Sequence, residues 1–178
     1  MKAKGYKQIL NFATKAHKGQ KRKYTNDDYI NHPIAVAKIV KSIGGSDAQV
    51  LAAILHDVIE DTKVDRAELK TFLLMNLPKK LATETYNMVD DLTDVFVPED
   101  FPNMNRTDRK IAESDRLSKT PAKSQTVKYA DIIHNLDSIM KHDEGFAKKF
   151  IEEKDRLLSK MNKGNNKLYK KAIQLTQQ

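Results

Sequence analysis

Apolar residues recur along this chain at helical rather than strand spacing. Val36, Ile39, Val40 and Ile43 fall on one helical face, and Gly44-Gly45 ends that helix. Asp47 is placed to cap the next one, whose run from Val50 to Ile59 is apolar except for His56 and Asp57. Leu69, Phe72 and Leu73 mark another helix, ended near Pro78, and Leu81, Thr85, Met88, Val89 and Leu92 stripe its successor. Residues 94–104, with Pro98 and Pro102, read as a loop. Helices are predicted over Arg106–Leu117 and Ala122–Met140, and again over Phe146–Met161 and Leu168–Leu175. No segment alternates as a strand would. The expected fold is all-α, a compact multi-helix bundle. With no repeat, low-complexity tract or Pro/Gly-rich linker, residues 1–178 are expected to form a single domain.

Composition narrows the setting. A hydrophobic fraction of 39% supplies a core, and 31% charged residues suit a soluble surface. No run of about 18 apolar residues occurs, so no transmembrane helix is expected. The opening Met1–Tyr6 lacks the apolar stretch of a secretory signal. Zero cysteines rule out disulfides and thiolate metal sites, and a cytoplasmic location is the simplest expectation. The net charge of +8 is concentrated at Lys15–Lys23 and Lys148–Lys171. Such basic stretches suit either nucleic acid or a small phosphorylated substrate, and charge does not choose between them. No feature sets an oligomeric state.

The segment that carries chemistry is Ala52-Ala53-Ile54-Leu55-His56-Asp57-Val58-Ile59-Glu60-Asp61-Thr62. A helix this apolar belongs in a core, where His and Asp are costly without partners. A divalent cation satisfies both at once. Adjacent helical residues diverge by about 100°, so an ion would sit between their directions and need ligands from elsewhere. Two candidates stand out. His32 lies in Tyr29-Ile30-Asn31-His32-Pro33, just before a helix that Pro33 can start. Asp131 lies in Lys128-Tyr129-Ala130-Asp131-Ile132-Ile133-His134-Asn135-Leu136, where Asp131, Asn135 and Ser138 line one polar stripe at i, i+4 and i+7. A hydrogen-bonded core histidine and a capping aspartate are the alternative readings. Spacing alone does not bring residues 32, 56 and 131 together.

Taken together, these segments resemble the HD-domain hydrolases of the RelA/SpoT homologue superfamily, especially the stand-alone small alarmone hydrolases. The match is carried by Phe12–Lys23, Tyr29–Pro33, His56–Thr62 and Lys128–Leu136, in the family's order. The resemblance implies a bundle of the HD-domain type, with His32, His56, Asp57 and Asp131 as ligands of one ion, usually Mn²⁺. Two imidazoles and two carboxylates are consistent with manganese but not selective for it. Two-metal relatives need further histidines, and only His17, His134 and His142 remain.

The resemblance also assigns Glu60 and Asp61 to water activation. Glu60 is i+4 from His56 and Asp61 is i+4 from Asp57, so both share the ligands' face while the helix persists. Arg22, Lys23 and Asn135 match nucleotide-contacting positions, and Ser138 falls where a hydroxyl residue is common. Tyr29 is a further candidate contact, or else a loop aromatic packed on the core. Arg109, with Lys21, Arg106 and Lys110, is placed to meet distal phosphates or to stay a solvated surface charge. The implied reaction is hydrolysis of the 3′ pyrophosphate of ppGpp or pppGpp, giving pyrophosphate and GDP or GTP, with no synthetase domain expected in this length. Adenosine alarmones such as (p)ppApp, the 2′ phosphate of NADPH, and simple nucleotides are rival substrates. A non-catalytic alarmone- or RNA-binding module is the rival of another class. Against a nucleic-acid platform stand the absence of Trp and an aromatic content of 7%.

Overall fold

The computed structural model describes residues 3–177 and is helical, with one isolated bridge between Lys21 and Asp28 in place of any strand among them. The helices are α1 (Ala3–Ala16), α2 (Asn31–Ser42), α3 (Asp47–Leu55), α4 (Val58–Asp61), α5 (Arg66–Asn76), α6 (Lys79–Leu92), α7 (Arg106–Leu117), α8 (Ala122–His142), α9 (Glu144–Lys160) and α10 (Asn166–Thr176). The all-α expectation holds. None of the described helices is long and apolar enough to cross a membrane. The chain divides into two compact units, one up to Thr93 and the other from Asp94 onward.

In the first unit α3 is the hub, packing against α1, α2 and α6, while α5 packs on α6 and α1. Every side chain from Ala48 to Leu55 is buried, which accounts for the unbroken apolar run in the sequence. Burying Leu51, Ile54 and Leu55 stabilises this unit by about 1.5–3 kcal/mol each. The cap differs from expectation. Ser46, not Asp47, closes the N-terminus: its hydroxyl accepts from the Gln49 amide, and the Gln49 side chain accepts from the Ser46 amide. That reciprocal box satisfies two orphan donors, leaving Asp47 at the first helical position. The helix also ends earlier than its hydrophobicity suggests. It stops at Leu55, His56 and Asp57 form a turn, and α4 resumes for a single turn.

Two further details concern the site's supports. His32 sits inside the first turn of α2 rather than before it, and Pro33 is tolerated there because first-turn amides need no intrahelical acceptor. Helix α1 buries Ile9 and Ala13, and His17 follows at the same four-residue spacing in the turn just past its end; Phe12 stacks on Phe72 with ring centroids 4.0 Å apart.

In the second unit α8 packs against α9 and α10, and α7 against α9. Its anchor is Tyr129, fully buried, whose hydroxyl donates to the Met161 carbonyl at 2.6 Å and accepts from the Gly164 amide at 3.3 Å. The loop around Gly164 lies so close that a Cβ there would meet Tyr129 Cε2 at 2.5 Å and the Thr126 amide nitrogen at 2.8 Å. Gly164→Ala should therefore destabilise the protein by about 1–3 kcal/mol, read as a lower midpoint in denaturant unfolding; an unchanged midpoint would show that this contact relaxes freely.

Candidate metal centre and catalytic site

The turn between α3 and α4 delivers the chemistry of the first unit. His56 and His32 are almost wholly buried, and Asp57 is partly so. Nε2 of His32 and Nε2 of His56 lie 3.5 Å and 3.2 Å from Oδ2 of Asp57. One ligand atom from each of the three residues falls within 4.8 Å of the others. Ligand atoms about 2.0–2.2 Å from one ion in tetrahedral or octahedral array stand roughly 3–3.5 Å apart. The spacing therefore fits a divalent cation.

Tautomer chemistry supports the same conclusion. Nδ1 of His56 is 2.8 Å from the Ala53 carbonyl oxygen, which can only accept, so the imidazole proton is on Nδ1. In its neutral form the ring points the Nε2 lone pair at a carboxylate oxygen. Two electron-rich atoms at that distance repel unless a proton or a cation lies between them. A backbone carbonyl that fixes the far nitrogen is the usual support of a metal-binding histidine.

Tyr29 closes one side of this cluster. Its hydroxyl lies 2.8 Å from Asp57 Oδ2 and 2.7 Å from Asp61 Oδ2. Removal from water, then the charges of Asp57 and Asp61, push the phenol far above its ordinary value, so it stays a protonated donor. The same environment raises Asp61: desolvation first and the Asp57 charge next outweigh the favourable Tyr29, His17 and His56 interactions. The ring of Tyr29 faces His17 at 4.9 Å and His32 at 5.9 Å between centroids, and the Arg22 guanidinium sits 5.8 Å from its centre.

The i+4 relation of Asp57 and Asp61 survives the break in the helix, since the Asp61 amide donates to the Asp57 carbonyl at 2.8 Å. Glu60 and Asp61 are exposed and line an open cleft of about 740 Å³ together with Lys15, Lys18, Lys63 and Glu68. The two carboxylates are therefore accessible to water. Lys23, also exposed, lies with its amine 4.7 Å from the Tyr24 ring centre.

In the second unit Asp131 is nearly buried on α8. Its Oδ1 accepts from Asn135 Nδ2 at 2.7 Å and its Oδ2 pairs with Lys128 at 3.1 Å. The Asn135 bond shows that the polar stripe exists, and Ser138 continues it in a half-buried position. Lys154 is half-buried along its stem, while loss of water around its amine, then Lys128 and Lys110, hold its pKa down to about 8. Asp94 is held below the ordinary carboxylate range by Lys128 and Lys110, which outweigh its own burial. Arg109 donates to the Met104 carbonyl, Arg106 grips Glu153 at 2.8 and 3.0 Å, and Lys110 pairs with Asp94 at 2.7 Å.

His17 and Gln20, given no site role from sequence, also adjoin the cluster through Tyr29 and Asp61. His17 is buried, its Nδ1 donates to Gln20 Oε1 at 2.7 Å, and its Nε2 meets no hydrogen-bond partner among the described residues. Gln20 in turn donates from Nε2 to the Asp61 carbonyl. The four-residue spacing of Ile9, Ala13 and His17 was the available signal that His17 faces inward.

Comparison with known proteins gives the chain its family. A family model described as the HD domain matches residues 10–157. Against the MESH1 guanosine-3′,5′-bis(diphosphate) 3′-pyrophosphohydrolase of Xenopus tropicalis the chain is 32% identical over 161 residues, covering 88% of this chain and 82% of that protein. Against a probable guanosine-3′,5′-bis(diphosphate) 3′-pyrophosphohydrolase of Synechocystis it is 30% identical over 131 residues, 72% of this chain but only 16% of that larger protein. A solved structure described as a metazoan ortholog of SpoT that hydrolyzes ppGpp has the same fold, at a TM-score of 0.82 and 20% identity over 99% of this chain and 96% of that one. A Listeria monocytogenes EGD-e structure follows at a TM-score of 0.62 and 20% identity, covering 87% and 97%. The chain belongs to the HD domain family of metal-dependent phosphohydrolases, in its alarmone-hydrolase branch.

Proposed function

We propose that the protein is a Mn²⁺-dependent guanosine-3′,5′-bis(diphosphate) 3′-pyrophosphohydrolase that works in the cytoplasm as one catalytic domain. The observation that carries this reading is the His32–His56–Asp57 cluster with Asp61 tied to it through Tyr29. The extent of the Xenopus match supports the substrate. His32, His56 and Asp57 would hold the ion, with Asp131 as the fourth ligand that the family resemblance assigns. A divalent cation there supplies an acidified water and a Lewis acid for the phosphate.

The protein's own groups do the rest. Asp61 and Glu60 orient water and accept its proton as its oxygen bonds to the phosphorus borne on the 3′ oxygen. The bond from phosphorus to the ribose 3′ oxygen breaks. That oxygen takes a proton, and pyrophosphate and GDP or GTP leave. Arg22 stacks on the purine, Lys23 and Arg109 neutralise phosphate charge, and Asn135 and Ser138 hydrogen-bond the nucleotide.

Purified protein loaded with Mn²⁺ should release pyrophosphate from ppGpp in chromatographic assays that also include ppApp, NADPH and simple nucleotides. No product from any of these with metal bound would overturn the enzymatic reading. Conversion of ppApp or NADPH alone would reassign the substrate. Asp57→Ala should weaken Mn²⁺ binding in calorimetry by more than about 100-fold, because even outer partners of metal ligands are worth about 10–100-fold; its helical circular dichroism should persist. For Glu60→Gln, turnover should fall by about 10²–10⁴-fold with Mn²⁺ affinity retained. Loss of the metal instead would make Glu60 a ligand rather than a base.

A further inference from the structure

We propose that Tyr29 and Gln20 are positioning residues that hold Asp61 from its two ends, Tyr29 at the carboxylate and Gln20 at the backbone carbonyl. This inference rests on the base role given to Asp61 above. The general physical reason is that a flexible carboxylate at a helix end samples several rotamers, and a base works only in the one that meets its water. Asp61 sits at the last residue of the single-turn α4, where the helix itself fixes little. Among the described residues the hydrogen bonds of its side chain reduce to one, from the Tyr29 hydroxyl to Oδ2 at 2.7 Å. Oδ1 is thereby left to accept a proton.

The phenol has one proton and two carboxylate oxygens within reach, at 2.8 Å on Asp57 and 2.7 Å on Asp61. It can donate to only one at a time. Were a cation to be held by Asp57, that carboxylate would be the poorer acceptor, and the phenol proton would go to Asp61. The strut would then be tightest with a cation bound. Its base is equally well fixed. The Tyr29 ring meets the His17 ring, the Arg22 guanidinium and, edge-on, the His32 ring.

Gln20 supplies the second tether. Its Nε2 donates to the Asp61 carbonyl, while its Oε1 accepts from Nδ1 of the buried His17. The Gln20 carbonyl also accepts from the Tyr29 amide at 3.0 Å, so the two tethers share one piece of backbone. His17 therefore acts on Asp61 at one remove, by setting the orientation of the Gln20 amide. A carboxylate held through its side chain and its main chain keeps its position without help from substrate.

A double-mutant cycle with separate metal and structural readouts tests this. Tyr29→Phe keeps the ring and removes only the strut's proton. It should lower kcat by roughly 10–100-fold, in line with the cost of misplacing a reacting group by about an ångström, with KM within about 3-fold of wild type. Mn²⁺ affinity by calorimetry should also stay within about 3-fold. Gln20→Ala should lower kcat in the same sense. In an Asp61→Asn background each substitution should cost less than about 2-fold more, since groups that act through one residue are not additive. Additive losses, a rise in KM without a fall in kcat, or unchanged turnover in Tyr29→Phe would each overturn the assignment. A crystal structure of Tyr29→Phe gives the readout that needs no substrate: the Asp61 carboxylate should leave its wild-type position. Should the wild-type enzyme turn over no nucleotide, the proposed function fails while this crystallographic outcome still decides the tethering. A carboxylate that stays in place would refute it.

Discussion

An imidazole and a carboxylate, side by side at the end of the most apolar helix, constrain everything around them. Bare burial of such a pair costs several kcal/mol, and the fold answers with directed partners rather than with exposure. His56 is fixed by the Ala53 carbonyl behind it. Asp57 is faced by two imidazole nitrogens and a phenol. The helix breaks at this point, and the His56 and Asp57 side chains meet with Nε2 and Oδ2 3.2 Å apart.

The first unit is organised around that turn. Helices α1, α2 and α6 pack on α3, and the first turn of α2 carries His32, whose Nε2 lies 3.5 Å from Asp57. The loop between α1 and α2 contributes Gln20, Arg22 and Tyr29, each engaged with a group in or next to the cluster. Glu60 and Asp61 then stand where buried structure meets an open cleft. One end of α4 adjoins the candidate metal cluster and the other faces water. Reactivity and burial meet within six residues, from His56 to Asp61.

The second unit meets the same difficulty with a different solution. Asp131 is buried on α8 and is satisfied locally by Asn135 one turn away and by Lys128 three residues before it. Lys128 and Lys110 keep Asp94 charged despite its burial, while loss of water lowers the pKa of neighbouring Lys154. A family match over residues 10–157 spans both units, so both belong to the shared HD-domain pattern.

Much of this was legible without a structure, because helical periodicity is a local property. The stripes over α2 and α6 and the spans expected for α7 and α8 match those helices closely, and Asn135 bonding Asp131 follows directly from an i+4 spacing. The polar pair inside an apolar run marked the site by its energetic cost alone. What sequence left open depended on competition between neighbours. Ser46 rather than Asp47 caps α3 because Gln49 can return the bond. The helix ends at Leu55 although the apolar run continues to Ile59. That His32 faces Asp57 across 3.5 Å, and that Tyr29 spends its hydroxyl on two carboxylates, are contacts between residues about 25 to 32 positions apart. No pattern along the chain encodes such closures; packing of the helices decides them.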